Sequence, residues 1–309
     1  MAPLELQAFA DEHLDAAAGL LAERHARHRA AEPLLPDVTD FRAQVERSRG
    51  ADGASGAVAL RRGEVVGYLL GGRREDPLGA HLWVDVAGFA VREPEVARDL
   101  YAAAARRWVD EGLTRHFVFV PALPDLVEPW FRLSFGASAA LAARETGVET
   151  VETDVAVRRS TPGDLEAAAA YDRLLWTHLT QAPSFSELVV PGDDEFLDDW
   201  RDTWEEEQFT HFVAERDGAV VGHLLLYRRP EGDVRVPPSS IDLANAATDP
   251  EARGSGAGLA LTAHALTWAY EHGFDTMITD WRMSNLEASR FWPRRGFRET
   301  FLRLYRSIP

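Results

Sequence analysis

The feature that most narrows the possible folds of this 309-residue chain is that it repeats itself, once and in order. "RRGEVVGYLLGG" (61–72) returns as "RDGAVVGHLLLY" (216–227): a glycine turn, then Val-Val-Gly, then an apolar run, with Val65-Val66-Gly67 matching Val220-Val221-Gly222. Upstream, "EHLDAAAGLLAERH" (12–25) is matched by "GDLEAAAAYDRLLW" (163–176), a polar start leading into the alanine-rich apolar spacing of a helix. Downstream, "RRWVDEGLTRHFVFV" (106–120) parallels "LTWAYEHGFDTMITD" (266–280), a helix closed by glycine and followed by a strand. Chance similarity among helices and hairpins accounts for any one match; three in the same order point to duplication. Each copy reads as strand, helix, irregular segment, two or three antiparallel strands, helix, strand, helix, strand. That is an α/β chain of two mixed α+β sheets, each copy of ordinary domain size. Polar "RETGVETVETDV" (144–155) sets the boundary, giving copies over 1–148 and 149–309.

The copies differ most at one loop. "EARGSGAGLA" (251–260) lies between the extended "IDLANAAT" (241–248) and a helix with Leu259, Ala263, Leu266 and Tyr270 at helical spacing. Such bare backbone can hold phosphate, make a tight turn or simply link two elements. N–H groups at a helix start lack internal partners and, with the helix dipole, favour an anion. Gly254, Gly256 and Gly258 remove the Cβ atoms that would keep a diphosphate away. The nucleotide P-loop is excluded because Leu259 follows Gly258 and no lysine is near. The G-x-G-x-x-G fingerprint fails too, since its third glycine would fall on Leu259 or Leu261. In the first copy, "DVAGFAVREPEVARDLYAAAARRWVDEG" has no glycine between Gly88 and Gly112. Glu93 and Glu95 stand there where phosphates would approach and would repel them.

The surviving pattern is Arg-x-x-Gly-x-Gly, here Arg253, Gly254, Ser255, Gly256, Ala257 and Gly258, between strand and helix. With "SNLEASRFWPRRGF" (284–297), an Asn-x-x-Ala-x-x-Phe-aromatic-x-x-x-Gly-Phe segment, it resembles the GCN5-related N-acetyltransferase (GNAT) superfamily. The resemblance implies two tandem acyl-CoA N-acyltransferase folds, the first a degenerate copy with a structural or interface role; "WFRLSFGAS" (130–138) is similar to the family's terminal segment. It implies acetyl-CoA as co-substrate, its diphosphate on the 253–258 loop and its pantetheine arm along Asn245, Ala246, Ala247 and Thr248. Asn285 would touch the cofactor, although capping the next helix would by itself explain it. Transfer to an amine needs the amine neutral and the leaving thiolate protonated. Asp242 is the candidate base, or else a fold-stabilising aspartate at the strand's start; strict alternation puts it with Ala244 and Ala246, opposite Asn245. Where many relatives have a tyrosine acid this chain has Trp292, whose indole N–H is too weak an acid; Tyr227 and Tyr305 are alternatives by residue type only.

The acceptor is an amine, expected on a small molecule; the alternatives are a protein N-terminus or lysine, or a non-catalytic acyl-CoA-binding regulator. "SFSELVVPGDDEFLDDWRDTWEEEQF" (184–209) spaces Phe196, Trp200 and Trp204 almost helically among acids. It is either an acidic, aromatic acceptor wall or an amphipathic helix with a solvated acidic face. Having no cysteine, the chain can form no disulfide, thiolate metal site or cysteine acyl-enzyme, and its histidines show no metal-ligand spacing, so no metal is expected. A formal charge of −17 disfavours nucleic acid and is compatible with a cationic substrate or with mere solubility. No apolar run is long enough for a membrane span, and "MAPLELQAFADEH" lacks a signal-peptide pattern, which makes a cytoplasmic protein the expectation. The oligomeric state is not legible.

Overall fold

The computed structural model describes every residue except Met1, Glu205 and Glu231. Its contacts separate two compact units: Met1–Leu141 with Gly232–Pro237 and Glu299–Pro309, and Ala142–Glu231 with Pro238–Arg298. The duplication is visible element by element. The first copy runs β1 (Glu5–Ala8), α1 (Leu14–Ala31), α2 (Phe41–Arg49), β2 (Ser55–Arg61), β3 (Glu64–Asp76), β4 (Gly79–Val84) and β5 (Phe89–Val91). It continues with α3 (Val96–Asp110), β6 (Arg115–Pro121), α4 (Pro124–Phe131) and β7 (Gly136–Glu145). The second copy runs β8 (Ala156–Arg159), α5 (Leu165–Thr180), α6 (Asp193–Trp204), β9 (Phe209–Arg216) and β10 (Ala219–Tyr227). It closes with β11 (Ser240–Thr248), α7 (Ala257–Glu271), β12 (Thr276–Arg282), α8 (Leu286–Phe291) and β13 (Arg298–Ser307).

The Val-Val-Gly repeat has a physical basis. In β3, Val65 faces Leu60 and Gly67 faces Ala59, so Val66 is an extra, bulged residue; in β10, Val220 faces Glu215 and Gly222 faces Ala214, so Val221 is the bulge. The carbonyl of each bulged valine accepts the N–H of the residue just past the strand paired on the other side, β5 or β11: Arg92 to Val66 at 3.0 Å and Asp249 to Val221 at 2.9 Å. The glycine that follows must stay bare. A Cβ on Gly67 would come within 2.9 Å of Val91, and one on Gly222 within 2.9 Å of the Ala247 carbonyl.

In the first unit the strand order is β1-β2-β3-β4-β6-β13, with β5 on β3. The last strand of the chain thus serves the first unit's sheet, Phe301 facing Pro121 through Ser307 facing Arg115, which is why Glu299–Pro309 falls there rather than with 149–298. Gly232–Pro237 also belongs to this unit: the Gly232 carbonyl accepts from Gln44 Nε2 at 2.7 Å, and buried Val234 packs with Leu35, Val86, Phe119 and Phe301.

In the second unit the order is β12-β11-β10-β9-β8. Between β8 and α5 the chain makes a capping turn: Asp164 accepts from the Thr161 N–H at 2.7 Å and is gripped by two Arg158 guanidinium nitrogens at 2.8 and 2.9 Å. That pair holds the Asp164 carboxyl well below the usual carboxylate range. The stripe of α7 that faces the sheet is Ala257, Leu261, Ala265 and Ala269 with Leu266, whereas Tyr270, expected on that stripe, is 56% exposed. α6 buries Phe196 and Trp200 against Ala168 and Ala169 of α5 and leaves its acids outward. No helix among the described residues is long and apolar enough to cross a membrane.

Candidate active site

The second unit contains a cleft of about 810 Å³. It exists because β11 and β12 pair in parallel only from Ser240/Thr276 to Leu243/Thr279, while β11 runs on to Thr248 and β12 to Arg282. Beyond that point the strands part, and both expose unpaired edge to the gap. Asn245, Ala246, Ala247 and Thr248 form one wall and Asp280, Trp281 and Arg282 the other. α5 contributes Trp176 and His178, and Arg253, Gly258, Asn285 and Trp292 also line the cleft.

The glycine loop turns tightly just before α7. Gly254 and Gly256 take φ of +81° and +89°, in the left-handed region where glycine carries no Cβ penalty. Ser255 N–H turns back on the Ala252 carbonyl at 3.1 Å, Ser255 Oγ accepts from the Ala257 N–H, and α7 begins at Ala257. The N–H groups of Gly254, Gly256, Gly258 and Leu259 find no acceptor among the described residues. Four free donors at the positive end of a fifteen-residue helix, with glycines around them, suit a diphosphate. Arg253 stands beside them, paired with Glu287 at 3.1 Å.

The corresponding place in the first copy is built differently. There only Arg92–Glu95 connects β5 to α3, against Asp249–Gly256 between β11 and α7. The first donors of α3 are already used: Val96, Ala97 and Arg98 N–H bond the carbonyls of Glu93, Pro94 and Glu95 at 3.0 to 3.1 Å. The carboxylates of Glu93 and Glu95 are engaged by Arg61 and Arg98.

Alternation along β11 fails at Ala244. Leu226 faces Leu243 and Leu225 faces Asn245, so Ala244 is a bulge without a partner on β10. A one-residue bulge reverses the side-chain faces beyond it, which puts Asn245 on the same face as Asp242 rather than opposite it. Asn245 Nδ2 accordingly donates to Asp172 of α5, as does Trp200 Nε1 at 3.1 Å. Burial lifts the Asp172 carboxyl above its ordinary range, opposed by these donors and Trp176. Asp242 is 2% exposed, does not line the cleft, and accepts from Arg229 Nε at 2.6 Å and Nη2 at 2.5 Å.

Asn285 caps α8, accepting from the Glu287 and Ala288 N–H groups at 3.1 and 3.2 Å, while its residue also borders the cleft. Trp292 is edge-on to Phe291 and Phe297. The two tyrosines considered as acids are elsewhere: Tyr227 stacks on Phe209, and Tyr305 lies against Phe117 in the first unit. Trp200 and Trp204 pack on His211 rather than line the cleft, so the 193–204 segment is the amphipathic helix of the two readings considered. Three residues of interest had no distinctive sequence signal: Asp172, one of two acids in the alanine- and leucine-rich α5; His178, one of several histidines without metal-ligand spacing; and Arg282, just past the expected strand end.

A family model described as the Acetyltransferase (GNAT) family matches residues 173–297, which hold the splayed strands, the glycine loop and Asn285. The chain carries a GNAT domain. Among solved structures, a GCN5-related N-acetyltransferase from Sphaerobacter thermophilus superposes with TM-score 0.61 at 14% identity, over 99% of this chain and 97% of that one. A tandem GNAT protein from the clavulanic acid biosynthesis pathway gives 0.52 at 15% identity, over 99% and 98%. The GCN5-related glucosamine N-acetyltransferase region of a fungal multi-domain GH3 beta-N-acetylglucosaminidase gives 0.58 at 15% identity; the chain covers 38% of that protein. At such identities the likeness establishes the tandem GNAT fold. No curated protein matches the chain.

Proposed function

We propose that the GNAT domain is an N-acyltransferase that moves an acetyl group from acetyl-CoA to the amine of a small molecule, in the cytoplasm, and that the first copy holds no donor. On this reading the functional copies are 1–148 and 149–309, although the last strand is lent to the first unit. The observation that carries it is the set of free N–H donors on Gly254, Gly256, Gly258 and Leu259, against the self-satisfied start of α3. Acetyl-CoA supplies a thioester; a C–N bond forms to its carbonyl carbon, the C–S bond breaks, and the proton shed by nitrogen ends on sulfur.

The chain's residues then have these parts. The 253–258 loop binds diphosphate, and the wall Asn245–Thr248 offers unpaired backbone to the pantetheine arm. Ala244, without a register partner on β10 where β11 and β12 part, is the residue whose backbone N–H would serve the thioester oxygen, where a fixed donor stabilises developing negative charge. His178 lines the cleft and can take the ammonium proton. Asp242 can do so only after giving up Arg229. Departure of the thiolate needs no tyrosine acid, since a thiolate is a good leaving group and can take its proton after the C–S bond breaks.

The test is calorimetric titration with acetyl-CoA, followed by thiol release with an amine library. One site per chain is expected; two equivalent sites would refute the degenerate first copy. Gly258→Glu is the informative variant, because a Cβ there meets only the Phe291 ring and Thr248 at an ordinary 3.8 Å. It should abolish binding with the fold retained, and Gly258→Ala should bind; unchanged affinity in Gly258→Glu would remove the diphosphate assignment. Binding without turnover of any amine would favour the acyl-CoA-binding regulator.

A further inference from the structure

Arg282 is a cation with no assigned work. It lines the cleft from the part of β12 that has left β11, and its guanidinium has no hydrogen-bond or ion-pair partner among the described residues. The donors around Gly254–Leu259 already have a cation of their own in Arg253. Burial depresses the Arg282 pKa, and the charge of Asp280 opposes that shift. Asp280 acts on it only through space, and leaving a guanidinium half-buried with none of its N–H donors bonded is costly unless something that visits the cleft accepts from them. Asp280, two residues earlier on the same face of β12, lines the cleft as well and is exposed to it. Past them, Ser284 Oγ donates to the Ser184 carbonyl at 3.3 Å, so the segment after α5 borders this end.

Resting on the acyltransferase reading of this cleft, we propose that the acceptor is an amine that also carries a carboxylate, an amino-acid-like zwitterion, with Arg282 holding the carboxylate and Asp280 the ammonium. A planar guanidinium fork matches a carboxylate with two parallel hydrogen bonds. One arginine beside one aspartate balances a zwitterion, whereas a phosphate dianion would leave this acid-lined pair with excess negative charge. Asp280 draws the ammonium in, the proton passes to a base on the cleft wall, and the neutral nitrogen attacks the thioester as written above.

The experiment compares matched acceptors with the full chain: amino acids and the amines they become on decarboxylation, phenylalanine with phenethylamine and lysine with cadaverine among them. Thiol release gives kcat and KM, and calorimetry follows the same acceptors titrated into CoA-saturated protein. The wild type should favour an amino acid over its decarboxylated partner by about 10- to 100-fold. Arg282→Gln should erase that preference through KM, with kcat and acetyl-CoA affinity little changed. If Arg282→Gln fails to fold by its melting curve, Arg282→Lys, which keeps charge but not the fork, is read in the same way. Equal or better use of the decarboxylated amines, an equal loss for both sets, or weakened acetyl-CoA binding in the variant would overturn the proposal. If nothing turns over, the titrations decide: Arg282-dependent binding of an amino acid upholds the subsite while the acyltransferase reading falls, and no binding of either set overturns it.

Discussion

One residue, Ala244, decides which side chains of β11 meet which neighbours. The bulge there brings Asp242 and Asn245 to one face, where the first is paired by Arg229 and the second reaches Asp172. Sequence periodicity could not show this, because an inserted residue in a small-residue strand leaves no mark in the alternation of Leu243, Ala244, Asn245 and Ala246. The loop was legible for the opposite reason: left-handed φ at Gly254 and Gly256 is a demand that few other residues meet. Asp242→Asn tests the competing parts for that aspartate. The exchange leaves Arg229, 38% exposed at its side chain, without its counter-charge and should cost about 1–3 kcal/mol, reduced from a fully buried pair by solvent at the arginine. Thermal melts should therefore fall while kcat drops by no more than severalfold, and His178→Asn should show the larger kcat loss. A hundredfold loss of kcat in Asp242→Asn at an unchanged melting temperature would instead make Asp242 the base.

At the scale of elements, α6 shows why an acidic, tryptophan-rich segment could not be assigned from sequence. Its acids face water under either reading, and only the positions of Trp200 and Trp204 over His211 and His223 decide between wall and packing. Those two histidines come from paired strands, His211 opposite Leu225 and His223 opposite Val213, and so share the face that α6 covers. Burial pushes His211 down from 6.5 to about 4 and His223 from 6.5 to about 3, so both are neutral in the fold. The unfolded chain takes up these protons first. The stability they contribute is whole above pH 6.5 and declines as pH falls below it towards the two depressed values. The loss is on the order of 2 kcal/mol per histidine by about pH 5. The protection factors of the α6 amides, exchange rates taken relative to the intrinsic rate at each pH, should fall between pH 7 and about pH 5, more than those of α7, and His223→Leu should blunt the change; equal protection factors in α6 across that range would contradict it.

For the whole molecule, the repeat was readable because both copies need the same bulge: Val66 and Val221 each turn a carbonyl to the residue just past a paired strand, β5 or β11, and Gly67 and Gly222 give it room. The last strand was not readable, since the apolar residues of "RETFLRLYRS" would suit either sheet and pairing partner is a tertiary choice. Truncation after Arg298 should thus injure the far end of the chain's history: loss of Phe301 and Leu304, both fully buried, should raise exchange in β6, residues 115–121, while α7 stays protected. Unchanged exchange in β6 would contradict the pairing. The same strand imposes an order on biosynthesis. β6 leaves the ribosome with its edge open and must wait for Glu299–Pro309, which at ordinary elongation rates arrive on the order of ten to thirty seconds later. Through that interval the nascent first half presents β6 paired on one side by β4 and open along the other, so a holding chaperone, or crowding by a second nascent chain, has its opening before Glu299–Pro309 are made.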